Sequence, residues 1–441
     1  KLAAGEMPLG FSKEDTLDLF VLILLIVMYL GIILLPSKKA WISMGASVVL
    51  ILGGAVTPAH AFGSLVNWNI LLIYLGSLIL AELFIYSRVP AFIAQRIVER
   101  SPSIGIAITI ILFLTGLLSA FVENVATVLV IAPIMIELAK RGKRNLAPLM
   151  IGLAVMANLQ GTATLVGDPP SMLFANFAGY SFNDFFFKSG KPSIFFAIQI
   201  GAIVGALYFY FYFRKTDSDI KVLPPEGIVA WFPSVLLLSM IGGLALFSAV
   251  SAQGGIHPAS GIFVFVLALV GLAWLVLAKN EKEEAKNLII HLDWMTLVFL
   301  IGIFIVVGAL AESSLLNQLA EQLAQWVKGD IFLGFALIVA ISVLISGFVD
   351  NVPYIAAMLP VANALANAMQ IQPDLLMFGL LIGSCLGGNL TPFGASANIV
   401  AVGLSEKHGC KVSFWRWIKL AGPFTIITTI AASAFVWLVW A

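Results

Sequence analysis

The sequence predicts an all-α polytopic membrane protein made of two inverted repeats, each carrying a re-entrant hairpin and a broken helix. Three observations predict it. The 441 residues are 61% hydrophobic and only 11% charged, against roughly 25% charged residues in soluble domains, so most of the surface must face lipid. Runs such as "LFVLILLIVMYLGIILL" (19 to 35) and "FTIITTIAASAFVWLVWA" (424 to 441) approach the length that about 30 Å of hydrocarbon demands of a helix, and strand alternation is absent. Finally, "SAFVENVATVLVIAP" (119 to 133) and "SGFVDNVPYIAAMLP" (346 to 360) set an acid beside an amide twice in the same apolar setting.

In chain order, residues 1–16 form an N-terminal tail, whose "KLAAGEMPLG" looks like a processing remnant with no cleavable signal pattern behind it. The first repeat, 17–215, holds spans near 17–36, 41–57, 68–86 and 193–213, a hairpin at 104–139 and a broken helix at 146–178. A cytoplasmic linker at 216–228 follows. The second repeat, 229–441, holds spans near 229–249, 258–278, 292–311 and 417–440, a hairpin at 331–369 and a broken helix at 373–404. Charges at helical spacing mark 87–103 and 312–328 as interfacial helices.

One register relates the breaks. Glu123 and Asp350 differ by 350 − 123 = 227 positions, and the same offset carries Ser119 to Ser346, Asn124 to Asn351, Pro133 to Pro360, Gly161 to Gly388, Thr164 to Thr391 and Gly167 to Gly394. The chain is therefore an internal duplication. With the N-terminus outside, only Lys1, Lys13, Lys188, Lys191 and Lys328 of the 24 basic residues fall outside, leaving 24 − 5 = 19 inside. That topology makes the repeats inverted, places both termini outside the plasma (inner) membrane, and carries a transporter signature. The arm Val125–Leu138 is about 21 Å at about 1.5 Å per residue, too short to cross, so the hairpins are read as re-entrant.

The chemistry sits in the tips and breaks. An ionised carboxylate costs about 2.5 to 3.5 kcal/mol at the bilayer centre on insertion scales, so Glu123 and Asp350 need a polar cavity. Asn124 and Asn351 are natural N-caps for the second hairpin arms. "GTATLVGDPPS" and "GNLTPFGASAN" free backbone groups inside the membrane, which is tolerated only around a protein-lined or wet site. Asp168 before two prolines, and Thr391 before Pro392, read as helix starts. The candidate substrate- and ion-binding set is Glu123, Asn124, Gly161, Thr162, Thr164, Asp168, Asp350, Asn351, Asn389, Thr391, Ser396 and Asn398.

Other features are read structurally. Cys385 is small-residue packing, with contact to a soft substrate the alternative. The four histidines are interfacial and no metal site is expected, apart from Na+ at Asn124 and Asn351. "YFYFYF" (208 to 213) and "FFF" (185 to 187) are interface anchors. A net charge of +1 without a basic block gives no reason for a nucleic-acid partner. An intramembrane enzyme would need a nucleophile with a base or a metal cluster, and no such motif is present.

At these residues the chain resembles the ion transporter superfamily, in the branch of the arsenite permease ArsB, the sodium/proton antiporter NhaD and the melanosomal P protein. The resemblance rests on the two hairpin tips and two breaks quoted above and extends over about residues 17–440. It implies five spans per repeat, an elevator-type transport step and a homodimer, with an energising ATPase subunit compatible with it. Relatives that carry dicarboxylates place Ser-Asn-Thr at the tips, where this chain has Glu-Asn-Val and Asp-Asn-Val. The tips and breaks also lack Lys and Arg, so a multiply charged anion would meet repulsion. The expectation is a secondary active transporter that needs no cofactor, uses H+ or Na+ as coupling ion, and exports a small inorganic solute: arsenite, or silicic acid, against protons. Sodium/proton antiport is the alternative, and a dicarboxylate symporter or a passive channel ranks lower.

Overall fold

The structure, a computed structural model, describes residues 13–142, 144–214, 227–251, 255–312, 322, 325 and 329–441. Nearly all of them lie in helices, as a chain facing lipid requires, because helices satisfy their own backbone hydrogen bonds. Among the described residues, eight helices are long and apolar enough to cross a membrane. The first repeat contains α1 (Lys13–Leu34), α2 (Lys39–Leu52), α3 (Trp68–Tyr86), α4 (Val89–Arg100), α5 (Ile104–Ser119), α6 (Asn124–Arg141), α7 (Leu146–Gly161), α8 (Pro169–Ala178) and α9 (Ile194–Phe213). The second contains α10 (Phe232–Val250), α11 (Ser260–Leu277), α12 (Lys282–His291), α13 (Trp294–Ala311), α14 (Ile331–Ser346), α15 (Asn351–Ala368), α16 (Pro373–Gly387), α17 (Ser396–Lys407) and α18 (Phe414–Trp440). A two-residue strand pair, β1 (Phe187–Lys188) with β2 (Lys191–Pro192), precedes α9.

The duplication governs where helices start. The pairs α5 and α14, α6 and α15, α7 and α16, and α8 and α17 begin at 104 and 331, 124 and 351, 146 and 373, and 169 and 396, each 227 apart. Helix α1 starts inside the predicted tail. The linker at 216–228, but for its last two residues, and the charged stretch 312–328, but for a few positions, lie outside the described residues.

Two compact units interleave along the chain. One comprises residues 1–67, 293–330 and 356–373, and the other 68–292, 331–355 and 374–441. Within the first, α2 lies on α13: Ser47 Oγ donates to the Gly302 carbonyl at 2.9 Å, and a Cβ on Gly302 would sit 2.6 Å from the Ser43 carbonyl carbon. Within the second, α3 lies on α11, where Gly261 N donates to Asn69 Oδ1 at 2.6 Å and a Cβ on Gly76 would come 2.9 Å from the Val264 carbonyl. Each contact joins a helix of one repeat to a helix of the other through small residues, which is how helices associate when lipid supplies no hydrophobic drive.

Three local expectations need correction. Arm α6 runs 18 residues, Asn124–Arg141, about 27 Å at about 1.5 Å per residue, longer than the 125–138 arm read from hydropathy. Its helix continues past the apolar run because Glu137, Lys140 and Arg141 are good helix formers that do not need an apolar setting. Of the aromatic runs, Phe185 is buried with its ring 5.9 Å from that of Phe174, and Phe209 is buried 5.2 Å from Phe424, whereas Phe187, Phe211 and Tyr212 are exposed. Helix α9 sends Phe209 and Phe213, four positions apart on one face, inward, so the run serves core packing as well as anchoring.

Candidate functional site

The hairpin tips are short turns between helices. At the first, Glu123 is itself the N-cap: its carboxylate accepts from Ala126 N at 2.9 Å, and α6 begins at Asn124. At the second, Asp350 Oδ1 accepts from Val352 N at 3.0 Å and α15 begins at Asn351. The expected N-caps, Asn124 and Asn351, are thus the first helical residues, because the carboxylate one position earlier is the stronger acceptor for bare N–H groups at a helix start. This leaves the Asn124 side chain to turn inward. Its Oδ1 accepts from Ser119 Oγ at 2.6 Å, and the amide lies against Gly161, where a Cβ would come 2.2 Å from Oδ1. The amide also faces Asp168.

Each break is folded on itself and pinned to its own hairpin tip. Thr164 Oγ1 donates to the Ala120 carbonyl, and Thr391 Oγ1, 227 positions on, donates to the Gly347 carbonyl, also 227 positions on. A Cβ on Gly167 would fall 2.1 Å from the Gly161 carbonyl oxygen, and one on Gly394 would fall 2.5 Å from that of Gly388. Only glycine permits the chain to double back this closely. The Thr164 and Thr391 hydroxyl protons are therefore committed to the backbone and do not point to a cargo.

Beyond the breaks the repeats differ. Asp168 caps α8 as expected, its Oδ1 accepting from Ser171 N at 3.1 Å and Ser171 Oγ at 2.8 Å. The expected start at Thr391 is displaced, since α17 begins at Ser396, the position that matches Pro169, and Thr391 is still in the turn. Ser396 is exposed, whereas Asn398 is buried.

The two broken helices meet at their breaks. Asn158 Nδ2, in the last turn of α7, donates to Asn389 Oδ1 at 3.0 Å and to Asn398 Oδ1 at 2.7 Å. Asn398 Nδ2 donates in turn to the Gly388 and Thr391 carbonyls, both at 2.9 Å, and Asn389 Nδ2 to the Val155 carbonyl at 3.1 Å. The Asn389 carbonyl accepts from Trp417 Nε1 at 2.9 Å. The mate of Asn158 under the 227 offset is Cys385, whose buried thiol faces Thr162 and Asp168, and Thr162 is the mate of Asn389. One crossing thus shows two faces: amide-rich where Asn158 meets Asn389 and Asn398, and acid, hydroxyl and thiol where Cys385 meets Thr162 and Asp168. Cys385 is buried at this crossing, beside Thr162 and Asp168.

Among the described residues, several buried oxygens around this crossing have no hydrogen-bond partner: Asn158 Oδ1, Thr162 Oγ1 and Asp168 Oδ2. Buried polar oxygens are costly to leave without partners. The hairpin and broken-helix segments 104–139, 146–178, 331–369 and 373–404 contain no Lys or Arg. Among the described residues no group of three or more His, Cys, Asp or Glu could hold a metal ion. Asn158 was missed as a candidate, and Cys385 reads in the sequence as packing, with soft-substrate contact only the alternative. The repeat offset would have paired them, but an amide and a thiol do not read as matching residues.

Apolar spanning helices, two helical breaks meeting at a buried polar crossing and oxygens without partners define a multi-pass secondary transporter, not an enzyme. Residues 20–383 match the citrate transporter family, and the chain belongs to that family. An uncharacterized transporter of Mycobacterium tuberculosis is 30% identical over 410 residues, covering 91% of this chain and 94% of its own length. The human P protein is 25% identical over 445 residues, covering 82% of this chain and 52% of the P protein. Among solved structures, the YdaH transporter of Alcanivorax borkumensis superposes with a TM-score of 0.62 at 13% identity, covering 96% of this chain and 98% of that one. MtrF of Neisseria gonorrhoeae superposes with a TM-score of 0.56 at 15% identity, covering 97% and 95%.

Proposed function

We propose that this chain exports a small neutral metalloid hydroxide, such as arsenite or silicic acid, across the plasma membrane in exchange for protons. The observation that carries this reading is the trio of partnerless oxygens at the crossing, Asn158 Oδ1, Thr162 Oγ1 and Asp168 Oδ2. A neutral trihydroxide brings O–H donors, which are what bare acceptors lack. It also brings no charge, which suits a site that holds Asp168 and has no Lys or Arg in its segments. In this reading Glu123 and Asp350 exchange the protons, Asn124, Asn158, Asn389 and Asn398 orient the cargo, and Cys385 offers a soft contact to arsenic. An elevator-like step and a homodimer belong to the same proposal, as does the orientation with both termini outside.

Two other readings have an observation each. The same oxygens suit Na+, a hard cation that prefers oxygen ligands, which favours sodium/proton antiport. The family description favours citrate. A free citrate anion would meet the Asp168 carboxylate without a basic residue in the site's segments to balance it, so it would need a cation bound with it. Counterflow into proteoliposomes separates the three. Arsenite exchange driven by a pH gradient and indifferent to Na+ supports the proposal. Na+-driven proton movement without metalloid, or citrate counterflow with arsenite inert, overturns it.

A further inference from the structure

Helix α12 (Lys282–His291) joins two spanning helices without leaving the level of their ends. After α11 stops at Leu277 the chain turns back, and Glu281 N donates to the Leu275 carbonyl at 3.1 Å, so α12 starts beside the last turn of α11. That turn carries Trp274, whose ring lies 6.4 Å from that of Tyr86 at the end of α3 and 5.2 Å from that of Phe232 at the start of α10. At its other end α12 stops at His291, just before Trp294 opens α13. Trp and Tyr at the ends of spans mark the membrane–water interface, so both ends of α12 are held at that depth.

One side of α12 packs on protein. Ala285 is buried, Glu281 and Glu284 face Tyr86, and Glu284 and His291 face Glu82, both on α3. The opposite side carries Lys282, Lys286, Ile289 and Ile290, at the i, i+4, i+7 and i+8 spacing of one helical stripe. All four are exposed, Ile289 to 41% and Ile290 to 58%. Among the described residues neither lysine forms an ion pair. The 227 offset sets residues 55–64, "AVTPAHAFGS", against this helix; they contain no Lys or Arg and form only the short turns Pro58–His60 and Ala61–Leu65. The stripe is therefore not a demand of the repeated fold.

We infer that α12 lies in the membrane interface and that this stripe engages anionic phospholipid, with Ile289 and Ile290 among the acyl chains and Lys282 and Lys286 on the phosphates above them. The lipid-facing surface runs up to this helix: Val270 on α11 is 45% exposed and Leu277, at its end, 81%. Lysine stems cover apolar surface while their ammonium groups stay wet, so basic and branched apolar residues share one face of an interfacial helix without conflict. Two ammonium groups one turn apart suit the negative surface of an anionic leaflet and gain little from a neutral one. A water-soluble acidic protein would have to reach the same stripe through the headgroups.

The test uses the full chain with Cys410→Ser, reconstituted in mixed phosphatidylcholine and phosphatidylglycerol vesicles. A bimane on Ile290→Cys is compared with one on lipid-facing Val270→Cys and one on Lys411→Cys, in the exposed loop before α18; label taken up by the Cys410→Ser parent is subtracted. Bromines on the phosphatidylcholine chains are expected to quench at Ile290 at least threefold more than at Lys411 and within twofold of Val270. Moving the bromines to phosphatidylglycerol at equal content should raise quenching at Ile290 at least twofold and leave Val270 unchanged. Lys282→Gln with Lys286→Gln, both at exposed positions, should abolish that preference while quenching by phosphatidylcholine persists. If Ile290→Cys does not fold, Ile289→Cys takes its place. Quenching at Ile290 no greater than at Lys411 would put the stripe in water, open to an acidic protein. Equal quenching by the two lipids, or a preference that survives the double substitution, would mean lipid contact in which the lysines take no part. Each of these results overturns the inference.

Discussion

The side-chain amide of Asn158 donates to Oδ1 of Asn398 across 2.7 Å, tying the broken helix of one repeat to the broken helix of the other. The same amide reaches Asn389 at 3.0 Å, so one residue holds both halves of the second break. Asn158→Leu keeps the volume but strands two buried acceptors, a loss of about 1 to 3 kcal/mol for each group left without a partner. The expected outcome is a lowered melting midpoint in detergent together with loss of counterflow. In a double-mutant cycle with Asn398→Ala the coupling should be about 0.6 to 2 kcal/mol, the span found for hydrogen bonds between membrane helices. Additive effects would mean that the bond does not join the repeats energetically.

Glu123 and Asp350 each combine a helix cap with a charge, and the two roles can be parted. A Gln at 123 or an Asn at 350 still presents an oxygen to Ala126 N or Val352 N, so capping survives. Glu123→Gln and Asp350→Asn are expected to express and melt like the parent while losing pH-gradient-driven transport by at least tenfold. A variant that is inactive and also unfolded would assign the residue a structural role alone.

The glycines at the breaks should not be equally sensitive. Gly161→Ala places a methyl 2.2 Å from Asn124 Oδ1, and Gly167→Ala places one 2.1 Å from the Gly161 carbonyl oxygen. At Gly388 the nearest atom, the Gly394 carbonyl oxygen, is 3.0 Å away. Overpacking costs typically 1 to 3 kcal/mol, so the first two variants should melt well below Gly388→Ala. Equal melting points for all three would show that the breaks yield freely.

Thr164→Val and Thr391→Val remove equivalent clamps between a break and its hairpin tip. Each should cost about 0.5 to 1.5 kcal/mol and raise hydrogen exchange at its own tip. Exchange that rises only in one tip would show that the repeats are not mechanically equivalent.

Cys385 offers a direct view of the crossing, since it is buried beside Thr162 and Asp168. In a Cys410→Ser background, maleimide should label Cys385 at least tenfold more slowly than Cys410 labels in the Cys385→Ser protein, and cargo should slow it further. Fast labelling unaffected by cargo would place Cys385 outside the occupied site.

Much of this protein is legible in its sequence because lipid imposes a simple rule: a segment that spans must be apolar and helical, and any polar break must be housed by protein. That rule, with one 227-residue offset, located most of the spans, the hairpins, the breaks and Glu123, Asp350, Asp168 and Asn398, whereas the span expected at 41–57 is a helix of only 14 residues, Lys39–Leu52, and 373–390 is apolar and long enough to span. Tertiary structure alone decided which polar atoms face one another. Capping by Glu123 turned Asn124 inward, the backbone claimed the hydroxyls of Thr164 and Thr391, and Asn158 and Cys385 came into the site from runs that read as packing. Those outcomes depend on competition among hydrogen-bond partners brought together from distant parts of the chain, and the order of residues along one helix does not contain that competition.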